Sequence, residues 1–263
     1  MAETLHRGRV VAAIFAATTV MLLSGHAVAQ KIGSEVGRES ITNRPMLLLG
    51  ALAGLALVPF VLIMVTSFVK VAVVLSILRQ AVGTQQIPPT QVITGIATIV
   101  TIYIMMPVGL EIYHEASGYL AEQPTKSITL QNLQPKILVE VAGVAQGPLR
   151  AFLVKHAHLK DRDMLFKIAY RMRQPRDRAN LTDEDFSIIV PAFVISELKE
   201  AFQIGFILFV PFLVVDMVVS NILMALGMQM LSPTTISLPF KILLFVMVDG
   251  WYLVTKGIVL GYQ

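Results

Sequence analysis

The chain of 263 residues is 55% hydrophobic and 14% charged, with a mean hydropathy of +0.71, whereas soluble domains are roughly one-quarter charged. This is the composition of a membrane protein. Zero cysteine excludes a disulfide framework, a cysteine-ligated zinc site, an iron–sulfur cluster and a cysteine nucleophile, and a net charge of +4 from scattered basic residues makes no stripe for nucleic acid.

At the start, Arg7 and Arg9 precede the apolar run Val10 to Leu23, which the small residues Ala27-Val28-Ala29 follow. This is the pattern of a secretory signal peptide, so residues 1–29 are expected to be removed by cleavage after Ala29. A retained membrane helix is the alternative, but the run is short against the about 20 residues a bilayer requires. Residues 30–45 carry Glu35, Arg38, Glu39 and Arg44 and end at Pro45, which reads as a polar periplasmic lead-in.

Met46 to Val69 is uncharged, and so is Gln80 to Leu110. Residues 46–110 are therefore predicted to form a first membrane helical hairpin. Its connection carries Lys70 and Arg79 and no acid, which places it in the cytoplasm by the positive-inside rule. The polar insert, residues 111–185, then lies in the periplasm. The stretch Glu111 to Glu200 holds twelve basic and twelve acidic residues, so its own charge does not vote. Within it, Leu149, Phe152 and Leu153, then Leu165, Ile168, Ala169 and Met172, recur at helical steps. Pro148 suits a first helical turn, Arg171 to Arg178 reads as a basic loop, and Thr182 to Asp185 resembles a capping box before a helix through Phe186.

Residues 186–263 are predicted to form a second helical hairpin. Ala201 to Val215 is uncharged, and Met217 to Phe240 is interrupted at Ser232-Pro233 and Leu238-Pro239, which starts a last span near Phe240. Between the spans, Met228-Gln229-Met230 sits among a glycine and two prolines. A broken backbone at membrane depth is tolerated only where protein buries it or water lines it. Flexible thioethers from several copies can close a channel and still yield to a passing chain; equally, these methionines can fill gaps in a hairpin core.

Lys70, Asp216, Lys241 and Asp249 lie in or at the ends of the apolar spans. Such charges are costly and mark a pathway, a pair or an assembly contact. An aspartate dyad for proteolysis is disfavoured because the flanks of Asp216 and Asp249 lack a paired glycine signature. A proton-coupled small-molecule transporter is the rival from another class, although the chain shows no internal repeat. Gly50 with Gly54 and Gly257 with Gly261 have the spacing for close helix contact. His156 and His158 point to different helix faces and are expected to be exposed. Glu111, His114 and Glu115 read as a solvated helix end, and no metal, cofactor or enzyme motif is expected.

Several blocks together identify the chain as resembling the FliP/SctR family of export-gate membrane proteins in flagellar and virulence type III secretion. They are Ser67 to Arg79, Gln86-Ile-Pro-Pro89, Pro191 to Phe206, Pro211 to Asp216, the Met-Gln-Met tip, Leu238-Pro-Phe-Lys241 and Val248-Asp-Gly-Trp251. The likeness is strong over residues 46–110 and 186–263 and looser over the insert.

The resemblance implies an all-α protein whose two long hairpins and periplasmic insert assemble into a cone-shaped helical oligomer in the bacterial inner membrane. It implies five copies together with FliQ/SctS-like and FliR/SctT-like membrane subunits. It also implies a non-enzymatic role, conducting unfolded secreted proteins. The family's methionine constriction falls on Met228 and Met230, with Gln229 interrupting the usual run. Lys70, Glu197, Lys199, Asp216, Lys241 and Asp249 are then expected to make polar contacts in dry surroundings. The Ser-Phe-Val-Lys block, Val219-Ser-Asn221 and the tail Thr255 to Gly261 look like injectisome members, and the leader looks flagellar. The injectisome branch is favoured, with a flagellar paralogue as the alternative.

Overall fold

The computed structural model describes residues 45–84, 87–122, 135–179, 181–228 and 230–263. The leader, residues 30–44 and Gln229 lie outside the described residues. The chain divides into a unit Met1–Pro59 and a unit Phe60–Gln263. The first unit contributes only the start of one helix to the described residues, so the fold below is that of the second.

All regular structure among the described residues is helical. Helix α1 (Pro45–Met64) is apolar throughout. After the break at Val65 to Ser67 the chain turns by 73° into α2 (Phe68–Val82). A long α3 (Thr90–Glu122) follows, then α4 (Pro135–His156) and α5 (Leu159–Met172), a single 3-10 turn at Pro175–Asp177, and the 40-residue α6 (Phe186–Ala225). The chain closes with α7 (Pro233–Met247) and α8 (Gly250–Leu260). Among the described residues, two helices, over Thr90–Gly118 and Phe186–Ala225, are long and apolar enough to cross a membrane. There are up to four such spans if α1 with α2 and α7 with α8 each count as one bent span.

Helix α2 is the hub because its buried residues form one stripe. Lys70, Val71, Val74, Leu75, Leu78 and Ala81 recur at three- and four-residue steps, which is the periodicity that keeps one helical face inward. This stripe meets Ile93 and Ala97 of α3, Ala201 and Phe212 of α6, and Val254 and Ile258 of α8. A second core lies between the insert and α6, where Phe152, Leu153 and Ala157 pack on Ile189, Ala192 and Phe193. Gly205 sets the approach of α6 to α2: a Cβ there would lie 2.4 Å from Ile77 Cδ1.

Several boundaries differ from those read in the sequence, each for a local reason. The connection bearing Lys70 and Arg79 is helix α2 itself, because its apolar stripe has a core to enter. Lys70 is buried there, so it does not act as a loop charge and its vote for orientation lapses. Pro148 lies inside α4, which begins at Pro135. Thr182 and Asp185 do contact each other, Thr182 Oγ1 donating to Asp185 Oδ1 at 3.2 Å. The residue that caps α6 is nevertheless Asp185, with no side-chain bond to the helix. Pro191 and Pro211 sit inside an uninterrupted α6, and Pro239 sits inside α7. The last span therefore breaks not at Leu238-Pro239 but at Val248-Asp249, where α7 and α8 meet at 60°. Asp249 takes φ +50, and a Cβ on Gly250 would strike the Phe245 ring at 2.1 Å. The block Val248-Asp-Gly-Trp251 is thus a bend. Among the described residues, nothing lies within 4 Å of a Cβ added at Gly54 or Gly257.

Candidate functional site

Three features stand out: a buried polar cluster, a second ion pair near the far end of α6, and the tip between α6 and α7.

The first is built on one strongly polar turn of the mostly apolar α6. Ser196, Glu197, Lys199 and Glu200 fall at neighbouring positions of that turn, so their side chains reach both the α2 side and the insert side. Lys70 of α2, 1% exposed, places its Nζ 3.2 Å from Glu197 Oε1 and 2.6 Å from Glu200 Oε2. The same ammonium lies 4.0 Å over the ring of Tyr262, a cation–π contact in desolvated surroundings. Tyr262 Oη donates to Glu197 Oε2.

The insert closes the other side. His158, the N-cap of α5, pairs its Nε2 with Glu200 Oε1 at 2.6 Å, and its backbone N–H donates to Ser196 Oγ at 2.9 Å. Ser196 Oγ in turn donates to Asp161 Oδ2 at 2.9 Å, and Lys199 donates to Asp161 Oδ1. Burial pushes the Asp161 carboxyl up, but the hydrogen bonds from Lys199 and Ser196 outweigh it and hold that group below its ordinary value. The cluster thereby ties α2, α5, α6 and the C-terminal turn into one polar joint. Arg162 adds an ion pair to Asp183.

His158 is exposed, as the sequence suggested, but His156 is half-buried. His156 packs between Phe152, 4.7 Å away, and Tyr262, 4.9 Å away. Burial first, then the cations Lys155 and Lys70, lower its pKa from 6.5 to about 4. No group of three or more His, Asp and Glu suited to a metal occurs among the described residues.

The second feature joins α6, α7 and the end of α2. Lys241 Nζ is 2.6 Å from Asp216 Oδ2 and 3.4 Å from the carbonyl of Ala81, while Ser237 Oγ donates to Asp216 Oδ1 at 2.5 Å. Helix α2 ends there because Gly83, at φ +84, takes the left-handed cap. Asp249 is exposed at the α7–α8 bend and joins neither cluster among the described residues.

The tip follows from a helix-ending motif. Gly227 adopts φ +74, its N–H bonds to the carbonyl of Met224, and the N–H of Met228 bonds to that of Leu223, both at 3.0 Å. These are the two bonds of a Schellman cap, which needs glycine at the left-handed position. The chain is thereby turned outward. Met228 is 42% exposed and Met230 is 101% exposed. Pro233 then opens α7 in its first turn.

Of the six charged residues singled out in the sequence, Lys70 and Glu197 meet each other, Asp216 and Lys241 meet each other, and Lys199 meets Asp161. Glu200, His158, Ser196 and Tyr262 were missed. Glu200 had a signal, since Ser196, Glu197, Lys199 and Glu200 interrupt an apolar helix within one turn; Tyr262 had none.

The model of the FliP family matches residues 51–258, most of the chain and, Tyr262 apart, all three features. The chain belongs to the FliP family. Similar FliP-family proteins come from both branches of secretion. The Hypersensitivity response secretion protein HrcR of Ralstonia nicotianae is 39% identical, over 80% of this chain and 93% of its own length. The Yop proteins translocation protein R of Yersinia pestis is 42% identical, over 79% of this chain and 92% of its own length. The Flagellar biosynthetic protein FliP of Bacillus subtilis is also 42% identical, over 85% of this chain and 94% of its own length.

Proposed function

We propose that this chain is a core, non-enzymatic subunit of a type III secretion export gate in the bacterial inner membrane, and that unfolded proteins pass outward through the oligomer it helps to form. The observation that carries this reading is the family match along residues 51–258, within which lie both buried ion-pair clusters and the methionine tip. Five copies, joined by FliQ/SctS-like and FliR/SctT-like subunits, make a helical cone, with the leader 1–29 removed and residues 111–185 on the periplasmic side.

The length of α6 supports an assembly that rises out of the bilayer. Forty residues span about 60 Å at the helical rise, twice the roughly 30 Å of hydrocarbon. Its surface is also unusual for a helix inside one chain: Phe202, Phe206, Ile207, Val210, Val214 and Met217 are all exposed. Lipid and neighbouring subunits cover such a face. At the exposed tip, Met228, Gln229 and Met230 from each copy form the constriction, and their flexible thioethers seal against ions yet part for a chain.

The injectisome branch is our first reading and a flagellar paralogue the second. The second keeps its place because the relative from Bacillus subtilis is as similar as that from Yersinia pestis.

The test is a strain lacking this gene, complemented with wild type or with Met228→Ala/Met230→Ala. The variant should assemble at the wild-type level while raising ion leakage across the membrane. An unchanged leak removes the tip from the gate, and secretion that persists without the gene removes the reading altogether.

A further inference from the structure

Where α2 turns into α3, against the α7–α8 bend, the described residues line a half-open cavity of about 240 Å³. Its wall is almost wholly apolar, with Leu78, Val82, Ile93, Phe245 and Trp251 as its main surfaces, and Arg79 and Thr84 stand among the lining residues. Trp251 stands edge-on to Phe245 at 5.5 Å, so an aromatic pair forms part of the lining.

Arg79 is the informative residue. It lies in the last turn of α2, close before the start of the membrane-length α3. Among the described residues only its Nη1 is engaged, toward the carbonyl of Pro88 at 3.4 Å and Thr90 Oγ1 at 3.2 Å. Among the described residues no carboxylate pairs with it, in contrast to Lys70, Lys199 and Lys241. Asp249 is two residues from Trp251 but does not line the cavity. A cation held at an apolar cavity beside a membrane span complements a molecule that carries an anionic head and an apolar tail. Guanidinium matches a phosphate diester through paired donors, and basic pockets between membrane helices bind anionic lipid heads.

We propose that this cavity is a binding site for one acyl chain of an anionic phospholipid, whose phosphate is held by Arg79 beside Thr84. The inference goes beyond the export-gate reading and does not depend on it. The lipid fills space between α2, α3 and the α7–α8 bend, and so braces the bend at Asp249.

The chain contains one tryptophan, and it lines the cavity. The full chain, extracted and placed in phosphatidylcholine nanodiscs, is given equal mole fractions of phosphatidylglycerol or phosphatidylcholine brominated on the acyl chain. Trp251 is 45% exposed, so both lipids quench it; the readout is the excess quenching by phosphatidylglycerol. At least a twofold excess is expected, lost in Arg79→Gln and lost also in Val82→Phe, which fills the cavity. Equal quenching by the two lipids in wild type overturns the proposal, as does an excess that survives Arg79→Gln. An excess that survives Val82→Phe overturns insertion of the chain into the cavity. Loss of the excess only when partner subunits are co-expressed would assign the cavity to a protein side chain instead of lipid.

Discussion

Lys70 of α2 and Glu197 of α6 meet at 3.2 Å with both side chains out of solvent. An ion pair in such a place stabilises little by itself, because each charge has lost its hydration, but removing one member strands the other. The pair therefore acts as a register mark between α2 and α6. Lys70→Met is expected to destabilise the protein by about 3–5 kcal/mol, read as thermal unfolding in detergent. Lys70→Met combined with Glu197→Leu should recover most of the loss, since Glu200 is partly solvated and keeps His158. Equal stability for Lys70→Met and wild type would remove the pair from the account.

Gly205 is a tight contact between the same two helices, with no room for a Cβ against Ile77. Gly205→Ala should cost about 1–3 kcal/mol through overpacking against Ile77, and Ile77→Ala in the same chain should relieve part of it. Gly257→Ala, with nothing within 4 Å, should leave the stability of the separate chain unchanged. If Gly257→Ala reduces oligomer yield while chain stability holds, the small residues of α8 face another subunit.

His156 gives the insert a pH dependence of definite sign. Its folded pKa of about 4 lies below the ordinary 6.5, so the unfolded chain binds the proton more readily. Its contribution is fully present above pH 6.5 and is lost as pH falls toward 4. Protease sensitivity of the insert should rise across that window. His156→Phe, which keeps the aromatic contact with Phe152 and Tyr262 and cannot be protonated, should flatten the response. A wild-type profile flat between pH 7 and 4 would contradict the packing described for His156.

Much of this was legible in the sequence because the signals were local and strongly apolar. The charged residues inside apolar runs were conspicuous, and two pairs of them turn out to be neighbours in space. The helix boundaries were less legible, since Pro191, Pro211 and Pro239 are ordinarily breakers, and packing against α2 keeps α6 and α7 whole through them. The stretch Val248 to Trp251 held a local turn signal in Asp249-Gly250, but nothing local announced that a Cβ at residue 250 would meet the Phe245 ring. Tyr262 was invisible for a similar reason: its partners lie on α2, α4 and α6, far away in sequence.

The ion pair of Asp216 and Lys241 makes a further prediction about the second hairpin. Lys241 is nearly buried and Asp216 is partly exposed, so Lys241→Ala leaves its partner some access to water, while Asp216→Ala strands a buried ammonium. Asp216→Ala should therefore reduce assembled complex more than Lys241→Ala does, as measured by the yield of oligomer on native gels. The reverse order, or normal yield from both, would contradict the burial seen for this pair.

The most direct test of the export-gate reading is native mass spectrometry of the detergent-extracted protein, expressed with and without the neighbouring membrane-protein genes of its own locus. The account predicts a pentamer that gains small membrane subunits when those genes are present. A stable monomer or dimer that gains none would contradict it.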